Sequence, residues 1–141
     1  MGYKYGVWYT YSEEAFPLHH QGHFTVTCFM EKSDAIKLYN ELKTKFGPDN
    51  MIYTNCIEPV VFESNLYEDD DNDISSWGYT GTVLNWSEIK KVTNNYSCNF
   101  SHQPHTSIVY TKIPKDIFPI SCTENRIIKG TLNVVDICSD N

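Results

Sequence analysis

The stretch GHFTVTCFMEKSDAIKLYNELKTKFGP, residues 22–48, joins the clearest strand pattern of the chain to its clearest helix pattern. Residues 23–30 alternate, with His23 and Thr25 on one side and apolar or cysteine side chains on the other, as in a half-buried strand. Ser33 is the expected N-cap of a helix that begins at the next residue and ends before the Gly-Pro pair. The apolar positions of this helix share one stripe: Ala35, Leu38, Tyr39, Leu42 and Phe46. A helix with one such stripe packs on a sheet, so the segment predicts an α+β fold.

Strand and helix patterns recur on both sides of this segment. They predict strands near residues 3–11, 51–62, 79–86, 104–111 and 126–137, and a short helix that opens at Ser87 with Ile89 and Val92 inward. An acidic run at 68–73 is typical of an exposed connection. We therefore expect a single domain of two βαβ-like lobes, lobe 1 over about 1–66 and lobe 2 over about 75–141, joined by residues 67–74.

Composition limits the partners and the location of the protein. The chain has 141 residues, which fits one domain, and 18 Asp+Glu against 11 Lys+Arg give a formal net charge of -7. A negative chain lacks the broad positive field that long nucleic acids favour, so a small ligand in a local site is expected instead. The five cysteines form no CxxC pair, and no run of apolar residues resembles a signal peptide or a membrane span. We therefore expect a cytoplasmic protein with reduced thiols and no membrane association.

Two short motifs of the same type fall on strands of the two predicted lobes. They read HFTV, residues 23–26, and HTSI, residues 105–108. Positions i and i+2 of a strand share a face about 7 Å apart, so each motif presents an imidazole beside a hydroxyl. Histidine has an ordinary pKa of about 6.5, so near neutral pH one imidazole can accept a proton while another donates one. The candidate catalytic residues of a metal-independent acid/base reaction are therefore His23, Thr25, His105 and Ser107.

Other side chains suggest weaker roles. Aromatic rings can stack on nucleobases, although aromatic strand faces more often belong to the core. The candidate substrate contacts of this kind are Tyr9, Tyr11, Trp77 and Tyr110. A metal cluster at the motif histidines His23 and His105 would also use His19, His20, Cys98 and His102, but these spacings match no standard zinc pattern, so we expect no metal and no cofactor. The remaining interpretation of the motif histidines is structural, as hydrogen-bonded residues at a strand surface.

On these two motifs the chain resembles the two-histidine phosphoesterase superfamily, whose members carry two His-φ-Thr/Ser-φ motifs in which φ is apolar. The order of elements is similar as well: a motif strand, a helix over residues 34–46, linking strands and a second motif strand. Thr106 departs from the pattern because it is polar where the family has an apolar residue, and Ser107 is the less common hydroxyl residue. The resemblance covers most of the chain, and in length the chain is most similar to the phage anti-CBASS nucleases, which degrade cyclic oligonucleotide signals.

The resemblance implies a two-lobed α+β fold with antiparallel sheets lining a central cleft and helices packed outside. It implies that His23 and His105 form the acid/base pair while Thr25 and Ser107 hold the nonbridging phosphate oxygens. The implied substrate is a small cyclic nucleotide, degraded in the host cytoplasm if the protein is viral. The alternative substrates are 2',3'-cyclic phosphates and 2',5'-linked RNA ends. The alternative function is a module that sequesters a cyclic nucleotide without cutting it.

Overall fold

The computed structural model describes residues 4–12, 22–54, 60–63, 75–96, 103–111 and 125–137, and for residues 60–63, 75–77 and 108–111 it describes the backbone alone. The elements in chain order are β1 (Tyr5–Tyr11), β2 (Gly22–Met30), α1 (Lys32–Phe46), β3 (Asp49–Thr54), β4 (Val60–Glu63), β5 (Ser75–Val83), α2 (Trp86–Thr93), β6 (His105–Thr111) and β7 (Arg126–Asp136). This mixture of strands and helices confirms the α+β class. The acidic connection at 67–74 lies outside the described residues. No helix within the described ranges is long and apolar enough to cross a membrane.

The apolar stripe of α1 is buried as predicted, but the helix starts earlier than the sequence indicated. The buried stripe residues are Ala35, Leu38 and Leu42. The Ala35 N–H already donates to the Glu31 carbonyl at 3.0 Å, which closes the first turn before Ser33 can cap it. The N-cap is therefore Glu31, whose side chain makes no capping hydrogen bond. The second helix likewise begins one residue before Ser87, behind a left-handed N-cap at Asn85.

All strand pairings in the described sheet are antiparallel, and the strands lie in the order β2-β1-β7-β3-β5-β4, with β6 also paired to β5. The last strand of the chain, β7, lies in the middle, between β1 and β3. One part of β5, residues 81–83, pairs with β3, while residues 75–78 pair with β4. The expected lobes therefore share one continuous sheet rather than holding separate sheets. Strand β6 lies off this path, paired with β5, but it also contacts β2, the strand at one end of the path, so the sheet nearly closes on itself.

One face of this sheet, which we call the core face, packs against the helices. Helix α1 contacts β1, β7 and α2, and α2 contacts β2. Buried core-face side chains from four strands include Val7, Tyr9, Tyr11, Phe24, Ile52, Ile128 and Leu132. Strands β1 and β2 alternate, so Trp8, Thr10, His23 and Thr25 lie on the opposite face.

Gly130 allows β7 to pass close to core side chains of the neighbouring strands β1 and β3. A Cβ atom at this position would lie 2.9 Å from both the Tyr9 Cβ and the Ile52 Cδ1. Strand β7 runs through this glycine without interruption. The glycine therefore provides space for neighbouring core side chains.

Candidate active site

The first motif lies on β2 with its polar residues facing away from the core. Phe24 and Val26 are buried, whereas His23 and Thr25 are half-buried. Alternation of side chains along a strand places these two pairs on opposite faces. The imidazole and the hydroxyl of the first motif therefore share one face.

The alternation of β2 breaks directly after this motif. Thr25 pairs with Trp8 but Thr27 pairs with Val7, so Val26 is an extra residue that forms a bulge. The sequence pattern placed Thr27 on the face of His23, and this is wrong, because the bulge turns Thr27 into the core. The Thr27 hydroxyl is buried there and has no hydrogen-bond partner among the described residues. The bulge ends the polar face of β2 at Thr25.

The ring of His23 stacks face to face on the indole of Trp8. The ring centroids are 3.6 Å apart and the planes differ by 6°. Trp8 pairs directly with Thr25 and Thr10 pairs with His23, so the stack joins diagonal neighbours of β1 and β2. Aromatic side chains can reach such diagonal neighbours. Trp8 thus lies beside both functional positions of the first motif.

The second motif lies on β6, and its middle residue points into the core. Thr106 is 0% exposed, and its Oγ1 lies 2.6 Å from the Tyr11 hydroxyl in a buried hydrogen bond. The residues on either side of it, His105 and Ser107, therefore face away from the core. Ser107 is only 8% exposed, while His105 is half-buried. The hydrogen bond to Tyr11 satisfies the buried hydroxyl of Thr106.

A backbone hydrogen bond orients the ring of His105. Its Nδ1 lies 2.9 Å from the carbonyl oxygen of Gln103. A carbonyl oxygen only accepts hydrogen bonds, so Nδ1 carries the hydrogen in this contact. The other ring nitrogen, Nε2, is then the one that can exchange a proton with a ligand.

Tyr11 connects the two motif strands on their core side. Its hydroxyl bonds Thr106 of β6, and its ring lies 5.9 Å, between centroids, from the ring of Phe24 in β2. The strands β2 and β6 contact each other, and we call the contact between them the seam. Both histidine and hydroxyl pairs therefore lie on the side of two neighbouring strands that faces away from Tyr11.

Two of the four expected aromatic substrate contacts belong to the core instead. Tyr9 is 0% exposed and Tyr11 is 4% exposed, because the odd-numbered side chains of β1 point to the core face. Burial raises the pKa of Tyr9, and a hydrogen bond from Asn50 partly opposes that effect. A nucleobase has no access to either ring, so the expectation for these tyrosines is corrected. The side chains of Trp77 and Tyr110 lie outside the described part of the structure.

Sequence reasoning missed Trp8 and the buried partner of Thr106. The signal for Trp8 was its even-numbered position on β1, which placed it on the face opposite the tyrosines. No local pattern pointed to the hydrogen bond between Tyr11 and Thr106, because the two residues are far apart in sequence and meet only through the sheet.

Within the described ranges, no group of three His, Cys, Asp or Glu side chains could hold a metal ion. The residues considered for a metal cluster besides His23 and His105 lie outside those ranges: His19, His20, Cys98 and His102. No protein-family model, curated protein or solved structure matches the chain. Its function must therefore be inferred from the two motifs and their surroundings.

Proposed function

We propose that the protein is a metal-independent phosphodiesterase that hydrolyses small cyclic nucleotides, with the two-lobed architecture of a two-histidine phosphoesterase. The observation that supports this proposal is that β2 and β6, which carry the two motifs, contact each other, with Tyr11 next to Phe24 and Thr106 on their core side. The element order supports the two-lobed interpretation, since β2-α1-β3 and β5-α2-β6 each place a motif strand next to a helix in sequence.

In the proposed reaction the two imidazoles share the proton transfers. One accepts a proton from the nucleophile, which is water or the neighbouring ribose 2'-hydroxyl, while a new P–O bond forms. The other donates a proton to the leaving oxygen as the old P–O bond breaks. The hydroxyls of Thr25 and Ser107 donate hydrogen bonds to the nonbridging oxygens, where negative charge increases in the transition state. His105 would act through Nε2, because Nδ1 is engaged by Gln103.

The charge of the chain favours a small substrate. A formal net charge of -7 repels a long polyanion, whereas a compact cyclic nucleotide needs only local contacts. Arg126 is the single arginine of the sequence, so phosphate recognition would depend on histidines, hydroxyls and backbone amides. A cyclic oligonucleotide that serves as an immune signal fits these requirements.

The decisive experiment is mass spectrometry of products from a panel of substrates. The panel contains cyclic dinucleotides, cyclic trinucleotides, 2',3'-cyclic phosphates and 2',5'-linked RNA ends. His23→Ala and His105→Ala should each lower turnover by about 10²- to 10⁴-fold, because each removes one proton transfer. His102→Ala, a histidine outside both motifs, is the matched control and should retain activity. The wild-type rate should follow a bell-shaped pH profile and survive a chelator.

Each outcome separates the candidate functions. Cleavage of cyclic oligonucleotides supports the proposal, while cleavage confined to RNA ends favours the alternative substrate class. Tight binding of a cyclic nucleotide without product would indicate a sequestering module. Full activity in either motif variant, or loss of activity with chelator and in His102→Ala, would contradict the metal-independent mechanism.

A further inference from the structure

We propose that Trp8 is a positioning residue that fixes the imidazole of His23 for proton transfer, an inference that rests on the proposed phosphodiesterase function. The contact that carries it is the parallel stack of the two rings, 3.6 Å between centroids and 6° between planes. Rings in this arrangement restrict each other's side-chain rotation. Trp8 thus limits the directions in which the His23 nitrogens can point.

Each of the two motif histidines has a contact that restrains its ring. His105 has a hydrogen bond from Nδ1 to a backbone carbonyl, which selects the orientation of its ring. For His23 the structure provides a large aromatic surface parallel to the ring. Acid/base catalysis depends on such orientation, because a misplacement of about 1 Å can cost about 100-fold in rate.

The location of Trp8 suits it to hold a neighbour in place. Its strand, β1, pairs with β2 on one side and with β7 on the other, so its backbone is held from both sides. Next to it, the Asn133 amide of β7 donates to the Thr10 hydroxyl at 2.6 Å, which ties β1 to β7. β2, in contrast, lies at the end of the sheet path and carries a bulge just after Thr25. The stack therefore joins β2, the strand at the end of the path, to β1, which is paired on both sides.

The test compares Trp8→Leu with Trp8→Phe. Trp8→Leu removes the aromatic surface and should lower kcat by about 10- to 100-fold while KM changes little, since orientation and not binding is lost. Trp8→Phe keeps a ring that can stack and should recover most of kcat. Tyr53→Leu is the matched control, because Tyr53 is a 47% exposed aromatic residue on β3 that belongs to neither motif. Circular dichroism and thermal unfolding verify that each variant is folded.

A spectroscopic measurement reports on the stack without reference to activity. The indole ring current should shift the ring protons of His23 upfield in the NMR spectrum, and Trp8→Leu should move them back. The His23 signals are assigned by their disappearance in His23→Gln.

The results separate this inference from the proposed function. If the wild type turns over substrate and Trp8→Leu has the same kcat, the positioning role of Trp8 is overturned and the proposed function stands. An increase in KM at constant kcat would also overturn it, because Trp8 would then be a substrate contact. Wild-type protein with no activity on any substrate would reject the function and, with it, the role of Trp8 in catalysis, even if the ring-current shift is present.

Discussion

At the scale of single residues, the buried hydrogen bond between Tyr11 and Thr106 connects the two strands that carry the motifs. The oxygen atoms are 2.6 Å apart, and both residues are almost fully buried. A buried hydroxyl that loses its partner keeps the cost of its desolvation without the compensating bond. This contact therefore matters for stability as well as for the seam between β2 and β6.

Tyr11→Phe should lower the free energy of unfolding by about 1–3 kcal/mol, because it leaves the Thr106 hydroxyl without this bond. Adding Thr106→Val removes the stranded hydroxyl, so the double variant should recover part of the loss. Urea denaturation of the single and double variants measures the coupling energy between the two positions. Strictly additive effects would show that the hydrogen bond contributes nothing to stability.

At the scale of elements, a hydrogen bond ties α1 to the end of α2. The Tyr96 hydroxyl, just after α2, donates to the Glu41 carboxylate of α1 at 2.7 Å. This bond, with burial and the charges of Glu41 and Asp34, raises the pKa of Tyr96 from 10.0 to about 12. Ionisation of the tyrosine destroys the bond, so the contact is sensitive to alkaline pH.

Tyr96→Phe should lower the free energy of unfolding near neutral pH by about 0.5–1.5 kcal/mol. Because the folded pKa is raised, this stabilisation is complete below pH 10.0 and disappears as the pH rises through about 12. The stability difference between wild type and variant should therefore shrink across that interval. Denaturant unfolding at several alkaline pH values measures it, with Tyr53→Phe as an exposed control. A difference that stays constant would contradict the assignment.

Most elements could be predicted from sequence because their patterns are local. The stripe of α1 and the alternation of β1 depend on neighbouring residues, so periodicity sufficed to find them. The bulge at Val26 could not be predicted, because it arises where β2 meets Gly6 of β1: a Cβ at Gly6 would lie 2.8 Å from the Thr27 carbonyl. The helix starts were also misplaced. The N-caps are Glu31 and Asn85, close behind the ends of the preceding strands, and not the serines that the sequence pattern suggested.

The candidate site likewise has features that local sequence patterns predict and features that they do not. The faces of His23 and Thr25 followed from alternation, and the four motif residues could be named in advance. The Trp8 stack and the bond between Tyr11 and Thr106 depend on how strands are ordered in space, which the sequence pattern did not determine. The single shared sheet was missed for that reason as well.

At the scale of the whole molecule, the proposed site spans the seam between β2 and β6. Local opening of such a seam costs less free energy than global unfolding. Turnover should therefore be lost at a lower urea concentration than the far-UV circular dichroism signal, when both are measured on the same samples at saturating substrate. Coincident transitions would show that the seam opens only when the whole domain unfolds.

The central place of β7 affects when the two motifs can act together during synthesis. This strand follows β6 in the chain, yet it pairs with both β1 and β3 and so joins the ribbon of β1 and β2 to β3 and the strands beyond it. A nascent chain that has emerged from the ribosome only as far as β6 already contains both histidine motifs, but it lacks the strand that holds their two groups of strands in one sheet. The two motifs should therefore act together only after β7 has been synthesised and has inserted between β1 and β3.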